Sequence, residues 1–208
     1  MLIVLEATLA LAALAAALSL RPWRMLLGGL LTPWLATVVF LPLLWLLPQQ
    51  MPQGLALQFS GACLLVLMVG WPLAVPALWA VAVLVWGLGT QPVAAVLSQL
   101  VWVGLVPATL ALLLGAALRR WLPPNPFVYV LGRGFLGTAA CVFLAGAVQE
   151  LIYRLVGQVG LEQALVAHWL MAWGDAFLTG MGAAVFVAFA PQWLATWSDA
   201  RYLQPPRQ

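Results

Sequence analysis

The chain has 208 residues, of which only 6% are charged, and its eight basic residues are all arginines. With 65% hydrophobic residues and a mean hydropathy of +1.07 it lies far from soluble domains, which carry roughly 25% charged residues. The composition excludes an ordinary soluble enzyme. A pI near 9.4 would suggest nucleic acid in a soluble protein, but here the arginines lie at the ends of apolar runs, where basic residues set membrane topology, so no nucleic-acid partner is expected.

The first run, Leu2 to Leu20, is broken only by Glu6 and ends at Arg21, Pro22, Trp23 and Arg24. A secretory signal carries its charge before the apolar run, and this one carries it after, as a retained helix with an external N-terminus does. The second run, Met25 to Leu47, contains Pro33 and Pro42 and is expected to kink. Pro48 to Gly54 is an uncharged polar turn. Leu55 to Leu88 is broken at Gly70-Trp71-Pro72 and again at Pro76, which predicts about two short spans.

Gly89-Thr90-Gln91-Pro92 is the next turn, and Val93 to Leu118 a full span ended by Arg119 and Arg120. The prolines of Trp121-Leu122-Pro123-Pro124-Asn125-Pro126 forbid regular helix. Phe127 to Val148 and Val166 to Ala190 are the last two spans, separated by the more polar Gln149 to Gln163. Residues 191–208 form a polar tail.

These runs predict an all-α membrane protein: a single polytopic domain, residues 1–208, built as a bundle of about seven transmembrane helices. With the N-terminus outside and the C-terminus cytoplasmic, Arg21, Arg24, Arg119, Arg120, Arg201 and Arg207 fall inside and Arg154 outside. Six spans would put the first or the last arginine pair on the wrong side. The expected setting is multi-pass in the cell inner (plasma) membrane, with the lipid bilayer as the first partner.

A carboxylate well inside the last span, Asp175, costs on the order of 2.5 to 3.5 kcal/mol on insertion scales and demands partners. On a helix His168, Ala172, Asp175 and Thr179 share one face, which should point into the bundle. Beside it Ala172, Ala176, Gly180 and Ala184 recur every four residues, a small-residue stripe for close helix approach, matched by Gly137, Cys141 and Ala145. His168 and Asp175 admit two readings, a substrate or ion path or buried hydrogen bonds that fix the bundle.

One histidine and one carboxylate are too few ligands for a dedicated transition-metal site, so no metal site and no cofactor is expected. Cys63 and Cys141 read as small packing residues. Glu150 and Arg154 form an i, i+4 pair on a solvated surface with Glu162 nearby; Glu6 and Arg133 lie near span ends and are expected to snorkel, with a vestibule carboxylate as the alternative for Glu6 and a partner contact as the alternative for Arg133. Trp23, Trp121 and Trp193 suit an aromatic belt. No Gly-x-Ser-x-Gly, phosphate loop or His-Glu-x-x-His motif is present, and no enzyme is expected.

Three stretches together resemble the integral membrane subunit of energy-coupling-factor transporters for cobalt and nickel, the CbiM type. They are Leu57-Gln58-Phe59-Ser60-Gly61-Ala62, then Leu122-Pro123-Pro124-Asn125-Pro126-Phe127-Val128-Tyr129, and Gly174-Asp175-Ala176-Phe177-Leu178-Thr179-Gly180-Met181 running on to Pro191-Gln192-Trp193. The resemblance is to a shorter branch and covers most of the chain after Leu55. It implies a seven-helix bundle with an external N-terminus, acting as the substrate-binding permease subunit beside a transmembrane coupling subunit and ATP-binding subunits. The family's metal site uses the N-terminal amine and two histidines, at positions that here read Leu2 and Gln58. A tight nickel or cobalt site is therefore not implied, because an amide oxygen replaces imidazole poorly on such ions.

Two expectations follow. In one, a transporter subunit holds a ligand among Gln58, His168, Asp175 and Thr179. In the other, a membrane assembly or scaffold protein keeps the bundle, and its polar groups are structural.

Overall fold

The computed structural model describes residues 2–46, 49–50, 56–156 and 164–202. Among the described residues the elements are helices joined by loops, with a two-residue antiparallel ladder that pairs Gln49–Gln50 with Ala56–Leu57. Seven helices carry the argument: α1 (Leu2–Ser19), α2 (Leu31–Leu46), α3 (Ala62–Val69), α4 (Trp71–Leu88), α5 (Val93–Trp121), α6 (Val128–Leu155) and α7 (Ala164–Phe189). Five of them, α1, α4, α5, α6 and α7, are long and apolar enough to cross a bilayer, which is the pattern of a membrane protein. α2 is apolar but has 16 residues, and α3 has eight. The polar turn expected at Pro48 to Gly54 lies mostly outside the described residues, as do Glu162, Arg207 and the amino group of Met1.

Side chains explain where the helices break. Gly70, at φ 79 and ψ 159, separates α3 from α4 with a backbone turn that a residue bearing Cβ rarely adopts. Pro76, expected to make a second break, lies early in α4 and does not interrupt it: its ring removes one internal hydrogen bond, and the helix runs on to Leu88. The expected polar connection from Gln149 is also displaced. α6 continues to Leu155, with Glu150 accepting from Arg154 Nε at 3.1 Å one turn on.

α6 and α7 pack antiparallel along their length through small residues. Gly134 lies against Gly180 and Ala183 near one end, and Gly146 lies under the ring of His168 towards the other. Ala172, Ala176 and Gly180 are buried as the stripe requires, but Ala184 is exposed and Ala183 takes its place. Cys63 and Cys141 pack in one small cluster with Ala172 and Val142, and both thiols are free.

The bundle has two chemically different ends. α1 runs from Glu6 towards Arg21 and Arg24, and α5 from Ser98 towards Arg119 and Arg120. Glu6 meets Trp102 and Tyr153, so the starts of α1 and α5 and the end of α6 share one end. The arginines named gather at the other. There the tail folds back: Leu194, Trp197 and Tyr202 are buried, and the backbone amides of Ala195 and Thr196 donate to the carbonyls of Met68 and Leu67.

Candidate functional site

Asp175 lies close to the middle of α7 and is only 2% exposed. Its Oδ2 accepts from the amide of Ser60 at 2.8 Å and its Oδ1 from the amide of Gly61 at 3.2 Å. Gly61, at φ 65, is the residue that caps the start of α3, so a carboxylate from α7 neutralises the free amides and positive dipole end of a short helix. Gly174 leaves room for the ring of Phe59, since a Cβ there would stand 2.7 Å from Cε1. The loop from Gln58 to Gly61 is therefore pinned at mid-depth. Non-helical backbone is tolerated at that depth only where protein or a polar cavity surrounds it.

Above the loop lies a cavity of about 360 Å³, lined by Gln58, Gln91, Ser98, Gln99, Gln149 and His168, with Ala95, Val103 and Met171 between them. This is within the roughly 300–1,000 Å³ of small-molecule sites. Gln99 is 6% exposed, its Nε2 donates to the carbonyl of Trp45 at 3.4 Å, and its Oε1 has no hydrogen-bond partner among the described residues. Such an acceptor costs free energy until a donor reaches it.

The wall beside Ser98 and Gln149 is a linked network. Glu6, 3% exposed rather than snorkelling, accepts from Trp102 Nε1 at 2.9 Å and from the Tyr153 hydroxyl at 3.2 Å. The same hydroxyl lies 2.7 Å from Ser98 Oγ, and Gln149 Nε2 donates to it at 3.4 Å. Glu150, expected on a solvated surface, is buried next to this network. Glu6 is buried because its partners, Trp102 and Tyr153, come from other helices, whereas Glu150 keeps the Arg154 pair expected on its own helix and is covered by neighbouring helices.

The four residues singled out in the sequence divide into two groups. Gln58 and His168 line the cavity together. Asp175 lies two turns from His168 along α7, about 10 Å, and is engaged with backbone amides. Thr179 is buried one turn further, where α7 meets Gly134, and does not line the cavity. Sequence reasoning missed Gln91, Gln99 and Gln149, although uncharged amides recurring at one end of several apolar helices are a legible signal. Among the described residues no three of His, Cys, Asp and Glu come together as a metal site.

No family model, no curated protein and no solved structure matches the chain, so the resemblance to cobalt and nickel permeases finds no support there.

Proposed function

We propose that the chain is the membrane-embedded substrate-binding, or permease, subunit of an energy-coupling-factor type transporter, with its cargo held in the amide-lined cavity. One observation carries the reading: a cavity lined by the four amide side chains Gln58, Gln91, Gln99 and Gln149 reaches from one end of the bundle to a loop pinned at mid-depth. Among the described residues the lining offers amides, a hydroxyl and one imidazole but no carboxylate, which suits a small neutral solute carrying hydrogen-bond donors better than a bare cation. ATP-binding subunits and a transmembrane coupling subunit would supply the energy.

In this reading the bundle has seven passes in the plasma membrane. α2 with the preceding turns, and α3 with its entering loop, make the two that fall short by length. The arginine-bearing end, with the tail from Pro191, faces the cytoplasm, as the positive-inside rule favours, and the cavity faces outward.

A scaffold protein is the second reading. The observation that favours it is that Asp175, the most costly polar group, is occupied by the Ser60 and Gly61 amides that lead into α3. A thermal-shift screen of the detergent-purified chain against small neutral polar solutes and divalent metals, with Gln99→Leu alongside, separates the two. A selective rise lost in Gln99→Leu supports the binding subunit. The absence of any shift, with Gln99→Leu more stable than the wild type, supports the scaffold.

A further inference from the structure

At the end of the bundle away from the cavity, a second pocket of about 70 Å³ lies between the end of α5, the start of α6 and the tail. Arg119 and Arg133 line it with Tyr129 and Tyr202, and among the described residues no acidic side chain does. Arg133 is 8% exposed, yet its Nε and Nη1 have no hydrogen-bond partner among the described residues. The chain makes space for the group at some sacrifice, since any side chain at Gly115 would collide with the guanidinium. The Cζ of Arg133 also lies 5.4 Å from the centre of the Tyr129 ring, a cation–π contact that offsets part of the desolvation but satisfies no N–H. Arg119 is held beside it by its Nε, which donates to the Gly115 carbonyl at 3.1 Å.

A buried guanidinium with two N–H groups unpartnered, a second arginine and, among the described residues, no carboxylate is a site suited to an anion. We propose that this pocket binds a phosphate oxyanion, with Arg133 as the principal ligand and Arg119 at its rim. The pocket admits a phosphate group but not a nucleotide. The planar fork of Arg133 suits paired phosphate oxygens, and basic pockets between membrane helices are where anionic headgroups dock. Leu118, Leu122 and Val128 form its apolar wall. The phosphate belongs either to a lipid headgroup, whose acyl chains would run along that wall, or to a free ion.

The full chain, purified in uncharged detergent and stripped of lipid, tests this by its melting temperature. The titrants are short-chain phosphatidylglycerol, inorganic phosphate, and diacylglycerol as the control without phosphate. Saturating ligand is expected to raise the melting temperature by roughly 5 to 10 °C in the wild type, and not in Arg133→Gln. A rise with phosphatidylglycerol but not with phosphate assigns a lipid headgroup. A rise with phosphate alone assigns the soluble ion. No rise with either, an equal rise with diacylglycerol, or the same rise in Arg133→Gln overturns the proposal. Should Arg133→Gln not fold, Arg133→Lys decides: it keeps the charge without the fork and should bind about tenfold more weakly, and unchanged binding counts against the site.

Discussion

Replacing Asp175 by alanine removes both acceptors of the Ser60 and Gly61 amides, which the carboxylate takes at 2.8 and 3.2 Å in a place closed to water. Each buried N–H left without a partner costs about 1–3 kcal/mol, so the pair sums to about 4 kcal/mol. For a chain of this size that lowers the melting temperature by roughly 8–16 °C. Asp175→Asn keeps one oxygen and turns an amide NH₂ towards the other N–H, so its cost should be about half as large. Differential scanning fluorimetry of the three proteins in one detergent measures the series. Because the carboxylate's partners are backbone groups, any loss of ligand binding in Asp175→Asn should track the loss of stability. If Asp175→Ala melts with the wild type, or if Asp175→Asn abolishes binding at full stability, the capping role is refuted and the carboxylate belongs to the ligand.

Glu6→Leu and Tyr153→Phe each remove one partner of the Glu6–Tyr153 hydrogen bond, and a double-mutant cycle on melting data should return a coupling of about 0.5–2 kcal/mol; additive losses would separate the two residues. Gly146→Ala puts a methyl group into the space of the His168 ring and should shift the imidazole within the cavity. If the cavity holds the cargo proposed above, its affinity should fall about tenfold in a binding titration, the scale of one misplaced polar contact. Thr196→Val removes the hydroxyl that bonds the Leu67 carbonyl at 2.9 Å and the Tyr129 hydroxyl at 2.8 Å. It should cost about 1–2 kcal/mol and loosen the tail, read as faster amide exchange at Ala195 and Thr196.

The helical, lipid-facing character of the chain is legible because it depends on composition and run length alone. So is the buried face of α7 around Ala172, Asp175 and Thr179, which helical periodicity places together. The small-residue stripe was legible only over two turns. A step of four residues overshoots a helical turn by about 40°, so three steps from Ala172 to Ala184 accumulate roughly 120° and bring Ala184 out to the surface. What stayed hidden is whatever joins distant segments. Nothing near Glu6 announces Trp102 or Tyr153, and nothing near Arg133 announces Gly115. Likewise the Ser60–Asp175 bond closes a separation of 115 residues, so neither end could be read as a cap from its own neighbours.

α3 ties these observations together. An eight-residue helix exposes a large share of its backbone groups at its ends, and at this depth water cannot serve them. The chain supplies both ends from its C-terminal quarter: the Asp175 carboxylate at the start, and the amides of Ala195 and Thr196 at the carbonyls of Leu67 and Met68. The loop under the cavity and the tail beside the arginine pocket are thus held by opposite ends of one short rigid element. Tyr129 extends the connection, because its hydroxyl meets Thr196 while its ring lies beneath Arg133. An anion that orders Arg133 and Tyr129 therefore bears on the same tail that caps α3. If the two sites are coupled energetically, the coupling is reciprocal: cargo in the amide cavity should change the phosphate titration midpoint at Arg133 by the same factor by which phosphate changes cargo affinity. Equal midpoints with and without cargo would show that α3 is a fixed strut between two independent sites.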